Sequence, residues 1–81
     1  MSSIDTLNVS SKNLLTLPDD ISSQIYLKVL DCKNNSLTAL DNLPPALEIL
    51  NCNSNNIDSL DNLPPTLKEL YCNDNNILSL N

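Results

Sequence analysis

The chain contains no glycine, histidine, tryptophan or phenylalanine, and its only aromatic residues are Tyr26 and Tyr71. Without histidine, and with lysine scarce, general acid–base or nucleophile–base chemistry would have to rest on surface carboxylates. Enzymatic activity is therefore not expected. A zinc centre needs four ligands that converge tetrahedrally, and three cysteines without histidine do not supply them, so neither a metal nor a cofactor is expected. Cationic residues are few: four Lys or Arg stand against ten Asp or Glu, for a formal net charge of −6. No basic cluster exists to neutralise phosphates, which argues against nucleic acid or an anionic membrane as partner. Long apolar runs are missing too, and none approaches the roughly 18 residues that cross a bilayer. The opening MSSIDTLNVS has neither a cationic start nor a continuous apolar stretch, so no secretory signal is read and a cytoplasmic location is expected. Three cysteines, an odd number, do not suggest a disulfide framework.

What the 81 residues do contain is a repeat. Leu47, Leu50, Cys52, Asn55, Ile57 and Leu60 map by a shift of twenty onto Leu67, Leu70, Cys72, Asn75, Ile77 and Leu80. The same shift backwards reaches Leu27, Leu30, Cys32, Asn35, Leu37 and Leu40. A weaker copy opens the chain with Ile4, Leu7, Val9, Lys12, Leu14 and Leu17, offset by 23. The connector LDNLPPALEIL recurs as LDNLPPTLKEL. One domain over 1–81 is expected, with copies at about 4–26, 27–46, 47–66 and 67–81.

The template, LxxLxCxxNxLxxLxxLPPx, resembles the leucine-rich repeat. Its length and Leu-Pro-Pro connector are similar to the short repeats of bacterial type III secreted effectors and of giant-virus and amoebal repeat proteins. The resemblance implies a right-handed superhelical solenoid with a short parallel β-sheet on the concave face, an extended convex side and little or no α-helix. It also implies protein binding through the concave face, in a host cytosol if the chain is viral or an effector. The first copy departs from the pattern, with Val9 for the cysteine, Lys12 for the asparagine and a connector three residues longer.

Residue chemistry points to the same architecture. In LEILNCN the alternation puts Leu50 and Cys52 on one side and Ile49, Asn51 and Asn53 on the other, as a strand requires. One such strand cannot bury its face alone; parallel stacking gives a continuous interior. The asparagine after each strand is expected inside, satisfying backbone groups of the turns. Pro44-Pro45 and Pro64-Pro65 are expected to be extended and polyproline-like. A helical turn is expected at most around 19–24, and the doubled asparagines Asn55-Asn56 and Asn75-Asn76 are expected to supply left-handed φ in place of glycine.

Because Val9 shares a column with Cys32, Cys52 and Cys72, that slot is read as a small apolar core position rather than a reactive one. Cys72-Asn73-Asp74 has the spacing of the Cys-x-Asp nucleophile of a ubiquitin-ligase domain, but Cys72 is a core position of the repeat.

Candidate contact residues lie between the fixed letters. Asp5, Lys28, Glu48 and Lys68 alternate in charge across the copies and are expected to pair laterally. Val29, Ile49 and Tyr71 face solvent, where the repeat needs no apolar group, and form the expected protein contact with Asp31, Lys33 and Asn51 as its polar part. The sequence stops before the last copy gains a connector. Self-association as a twofold dimer is the alternative expectation, with Tyr71, Ile77 and Leu80 at the contact.

Overall fold

Each copy contributes a three-residue strand because its apolar residues alternate there and nowhere else. The computed structural model describes residues 5–18, 20–60, 63–77 and, for backbone only, 79–80. The described residues form six strands: β1 (Thr6–Asn8), β2 (Val29–Asp31), β3 (Ile49–Asn51), β4 (Ser59–Leu60), β5 (Glu69–Tyr71) and β6 (Ser79–Leu80). β1, β2, β3 and β5 make a four-stranded parallel sheet in that order, while β4 and β6 pair in parallel elsewhere. Helix is confined to one 3-10 turn, Ile21–Ser23, inside the segment where a turn is expected.

Register follows the repeat. Leu7 pairs with Leu30, Leu30 with Leu50 and Leu50 with Leu70. The inward residues Leu27, Leu30, Cys32, Leu37, Leu47, Leu50, Cys52 and Ile57 are fully buried, while Leu7, Val9, Leu14, Leu67, Leu70, Cys72 and Ile77 of the first and fourth copies pack on them partly covered. Burying each leucine is worth roughly 2 kcal/mol. The Cα radius of gyration is 11.8 Å, close to the roughly 12 Å of a compact domain of this length.

The interior asparagines knit neighbouring copies together. The Asn55 amide donates to Cys32 O at 3.0 Å and Cys52 O at 3.0 Å, and its Oδ1 accepts the Leu37 amide at 3.0 Å. Asn35 and Asn75 repeat the arrangement one copy earlier and one later. Each asparagine reaches back to the preceding copy. Lys12, the first copy's counterpart, is exposed and plays no such part. Among the described residues no buried side-chain nitrogen or oxygen lacks a partner.

One local expectation is corrected and another is filled in. Among the described residues positive φ falls on Ser11 at 55°, Asn13, Asn34 and Asn42 at 57°, Ser54 at 60° and Asp74 at 58°, and not on Asn55-Asn56 or Asn75-Asn76; in the second, third and fourth copies the kink comes one position before the interior asparagine. The kink must precede the asparagine so that its side chain can turn inward, and short polar residues tolerate it. Each Pro-Pro pair leads into a turn. Pro44 O accepts the Leu47 amide at 3.4 Å and Pro64 O accepts the Leu67 amide at 3.1 Å. The second proline of each pair thus occupies the turn position its fixed φ suits, and it aims the chain into the next strand.

Candidate interaction face

The side of the sheet turned away from the core is made of columns, one residue per strand. One column is Thr6, Val29, Ile49 and Glu69; another is Asn8, Asp31, Asn51 and Tyr71. Adjacent strands stand about 4.8 Å apart. Val29 and Ile49 are therefore direct neighbours, and Tyr71 lies diagonally from Ile49, on the strand beside Asn51. All three side chains are accessible, Val29 and Ile49 in part and Tyr71 at 43%.

Charge on this face is largely neutralised within it. Glu48 holds Lys28 at 3.4 Å and Lys68 at 3.8 Å, and Asp31 holds Lys33 at 3.7 Å. Lateral pairing along the Lys28–Glu48–Lys68 column is as expected; no ion pair reaches Asp5 among the described residues. Such exposed pairs are worth about 0–1 kcal/mol each, so they set register and leave the face nearly neutral.

The Asn8 column has a structural duty that sequence reasoning missed. Asn8 Oδ1 accepts the Ser10 amide at 2.9 Å, Asp31 Oδ1 the Lys33 amide at 3.3 Å and Asn51 Oδ1 the Asn53 amide at 3.1 Å. Each is an Asx turn, in which a short side chain bonds the backbone two residues on. A tyrosine cannot do this. In the fourth copy the Asn73 amide is taken instead by Asn53 Oδ1, from the neighbouring copy, at 2.6 Å. Tyr71 is thereby released from the turn, and its hydroxyl donates to Glu69 Oε1 at 2.5 Å. That bond to a carboxylate pushes the Tyr71 phenol above its ordinary pKa.

The structure thus gathers Val29, Asp31, Ile49, Asn51 and Tyr71 on one face, with Lys33 beside Asp31. It divides them by role. Asp31 and Asn51 hold turns and Lys33 is paired, whereas Tyr71 has no part in the repeat's own geometry. Ile77 is half-buried and packs against the core. The side chain of Leu80 lies outside the described residues.

Three exposed apolar residues were missed: Leu15, Ile25 and Tyr26, at 70, 54 and 64%. Ile25 and Tyr26 stand where the later copies have Pro45-Ala46 and Pro65-Thr66, and the longer first connector is the signal that could have marked them.

Among the described residues, no group of three or more histidine, cysteine, aspartate or glutamate side chains could hold a metal ion. No described helix is long and apolar enough to cross a membrane. The thiols are free, and burial pushes Cys32 and Cys52 up to about 12. Compared with family models, curated proteins and solved structures, the chain matches none of them.

Proposed function

We propose that the protein is a non-enzymatic interaction module, a short leucine-rich-repeat solenoid that binds a protein partner through the outer face of its parallel sheet. The observation that carries this reading is Tyr71. It replaces the turn-forming Asx of its column, and its turn is held from another copy by Asn53. A large amphipathic ring in place of a short structural side chain is the signature of a contact anchor. Val29 and Ile49 provide the apolar surface beside it, and Asp31, Lys33 and Asn51 a polar rim.

The repeat register supports the solenoid part of the reading. Four copies stack in parallel with equivalent residues paired, the arrangement in which each repeat contacts only its neighbours.

Capture from cytosol with the wild-type chain, followed by binding measurements on each captured protein, tests the reading. The Tyr71→Ala, Ile49→Asp double variant is expected to lose binding while Tyr26→Ala, off the face, keeps it. Undiminished binding by the double variant overturns the site.

The alternative is self-association through the fourth copy. Its supporting observation is that Leu67, Leu70, Cys72 and Ile77 are only half-buried, where their third-copy counterparts are fully covered. Light scattering across concentration decides it: a constant monomer mass removes this reading.

A further inference from the structure

Away from the sheet, a second ladder is made among the described residues between the last two copies only, and not between the first and second or the second and third. In the third and fourth copies Ser59–Leu60 pairs with Ser79–Leu80. The equivalent positions earlier in the chain are Thr16-Leu17 and Ala39-Leu40, and these do not pair. A cleft of about 290 Å³ opens there, lined by Leu15, Leu17, Pro18, Ala39, Asp41 and Asn42 with the hydroxyl residues Thr16 and Thr38. Pro18 cannot donate to a ladder and restricts Leu17 before it, and the longer connector of the first copy follows it.

The polar groups around this cleft are uncommitted. Among the described residues, the side chains of Thr16, Thr38, Asp41 and Asn42 have neither a hydrogen-bond nor an ion-pair partner. The backbone of residues 15–17 and 38–42 makes no backbone hydrogen bond either, whereas the sheet on the other side is fully laddered. Leu15 is 70% exposed at the rim over an apolar floor that includes Leu17. Groups so placed are satisfied by water or by a ligand.

Charge selects the ligand. Three lysines, Lys28, Lys33 and Lys68, are in ion pairs on the sheet face. Elsewhere Lys12 stands against the exposed Asp20, Asp41, Asp58 and Asp74. Among the described residues Asp41 is the one charged residue lining the cleft. A volume at the lower limit of small-molecule pockets, roughly 300–1,000 Å³, suits a single long side chain. Leucine, proline and alanine surface suits an aliphatic stem, and a carboxylate suits a cationic head that stays near water. Oxygens dispersed over Asp41, Asn42, Thr16 and Thr38 match the three divergent donors of an ammonium better than the planar fork of a guanidinium.

We propose that this cleft is a second docking site, independent of the sheet face, which takes a lysine side chain from an extended basic segment of a partner protein. The unpaired backbone of residues 38–42 offers hydrogen bonds to that segment's main chain.

The test titrates the ¹⁵N-labelled full chain with the blocked peptide acetyl-Thr-Lys-Thr-amide, alongside peptides carrying norleucine or acetyl-lysine at the central position and alongside free spermidine. The lysine peptide is expected to shift the amides of Thr16, Leu17 and residues 38–42 and to leave the β1–β2–β3–β5 face unmoved. Asp41→Asn, an exposed change whose fold the same spectrum reports, is expected to weaken the lysine peptide about three- to fivefold, and Leu15→Ser to weaken the lysine and norleucine peptides alike. Equal binding of the norleucine or acetyl-lysine peptide, absence of shifts at the cleft at millimolar peptide, or tighter binding of spermidine than of the peptide would each overturn the proposal, the last by making the site one for a free polyamine.

Discussion

Asn53 holds the backbone amide of Asn73 through its side-chain oxygen at 2.6 Å, across the boundary between two copies of the repeat. In the three preceding copies the corresponding amide, of Ser10, Lys33 or Asn53, is held from within its own copy by Asn8, Asp31 or Asn51. The substitution of one arrangement for the other frees position 71 from packing. A residue that the fold has ceased to need there is a tyrosine, and it sits on the accessible face next to Ile49 and Asn51. This connection between a turn and a surface is the basis for assigning binding to the sheet face.

The interior asparagines carry more stability than their polarity suggests. Asn55→Ala removes the partner of the Leu37 amide and one of the two side-chain donors to each of the Cys32 and Cys52 carbonyls, which keep Asn35 and Asn75, at a site only 5% exposed. Stranding buried backbone groups costs about 1–3 kcal/mol each before relaxation. Urea denaturation is expected to show a loss of about 2–4 kcal/mol for Asn55→Ala and a smaller one for Asn75→Ala, whose site is half-buried.

Ser54 takes φ of 60° without being glycine. Left-handed φ costs a residue with a Cβ about 1–2 kcal/mol, so Ser54→Gly is expected to stabilise by about 1 kcal/mol, less the entropy of a freer unfolded chain. A denaturation midpoint lowered by this change would show that the Ser54 side chain has a role of its own.

Alkaline pH tests the interior of the sheet. Burial, reinforced by the neighbouring thiol of Cys52 and the Asp31 carboxylate, raises Cys32 from its ordinary 9.0 to about 12. Burial and then Cys72 do the same for Cys52. A thiol whose folded pKa is raised favours the folded state fully below its unfolded pKa, and that advantage is lost as pH climbs from about 9 towards 12. Unfolding free energy should fall by about 1.4 kcal/mol per pH unit for each thiol across that window. The Cys32→Val, Cys52→Val variant is expected to lack this slope, since Val9 fills the same column; an identical slope in both proteins would place the titration elsewhere.

Thiol labelling reads the same column kinetically. Cys72 is half-buried while Cys32 and Cys52 are closed off. A disulfide reagent at neutral pH should modify one thiol quickly and the other two only on opening of the fold. Fast modification of all three would contradict the packing.

Much of this was legible in the residues. The period of twenty gave the parallel register, the alternation in LEILNCN gave the inward Leu50 and Cys52, and the single asparagine per copy gave the interior amide. Three things were hidden. The left-handed position was assigned to Asn55-Asn56 because asparagine tolerates it best, but the side chain of Asn55 is needed inside and the kink moves to Ser54. Asp31 and Asn51 looked free to vary because strand alternation turns them outward, while their bonds to the amides two residues on depend on geometry that periodicity does not encode. The cleft at Leu15 and Asp41 lies beside the connector that is three residues longer, and such an insertion marks an irregularity without saying which way the chain moves.

The measurement that tests the central claim most directly is Tyr71→Asn, assayed together for stability and for partner binding. Asparagine restores the residue type that holds the turn in the other copies, so the folded state is expected to be as stable as wild type or up to about 1 kcal/mol more so, while binding by the sheet face is lost. A variant that unfolds more readily and still binds would show that Tyr71 serves the fold, and would contradict the account.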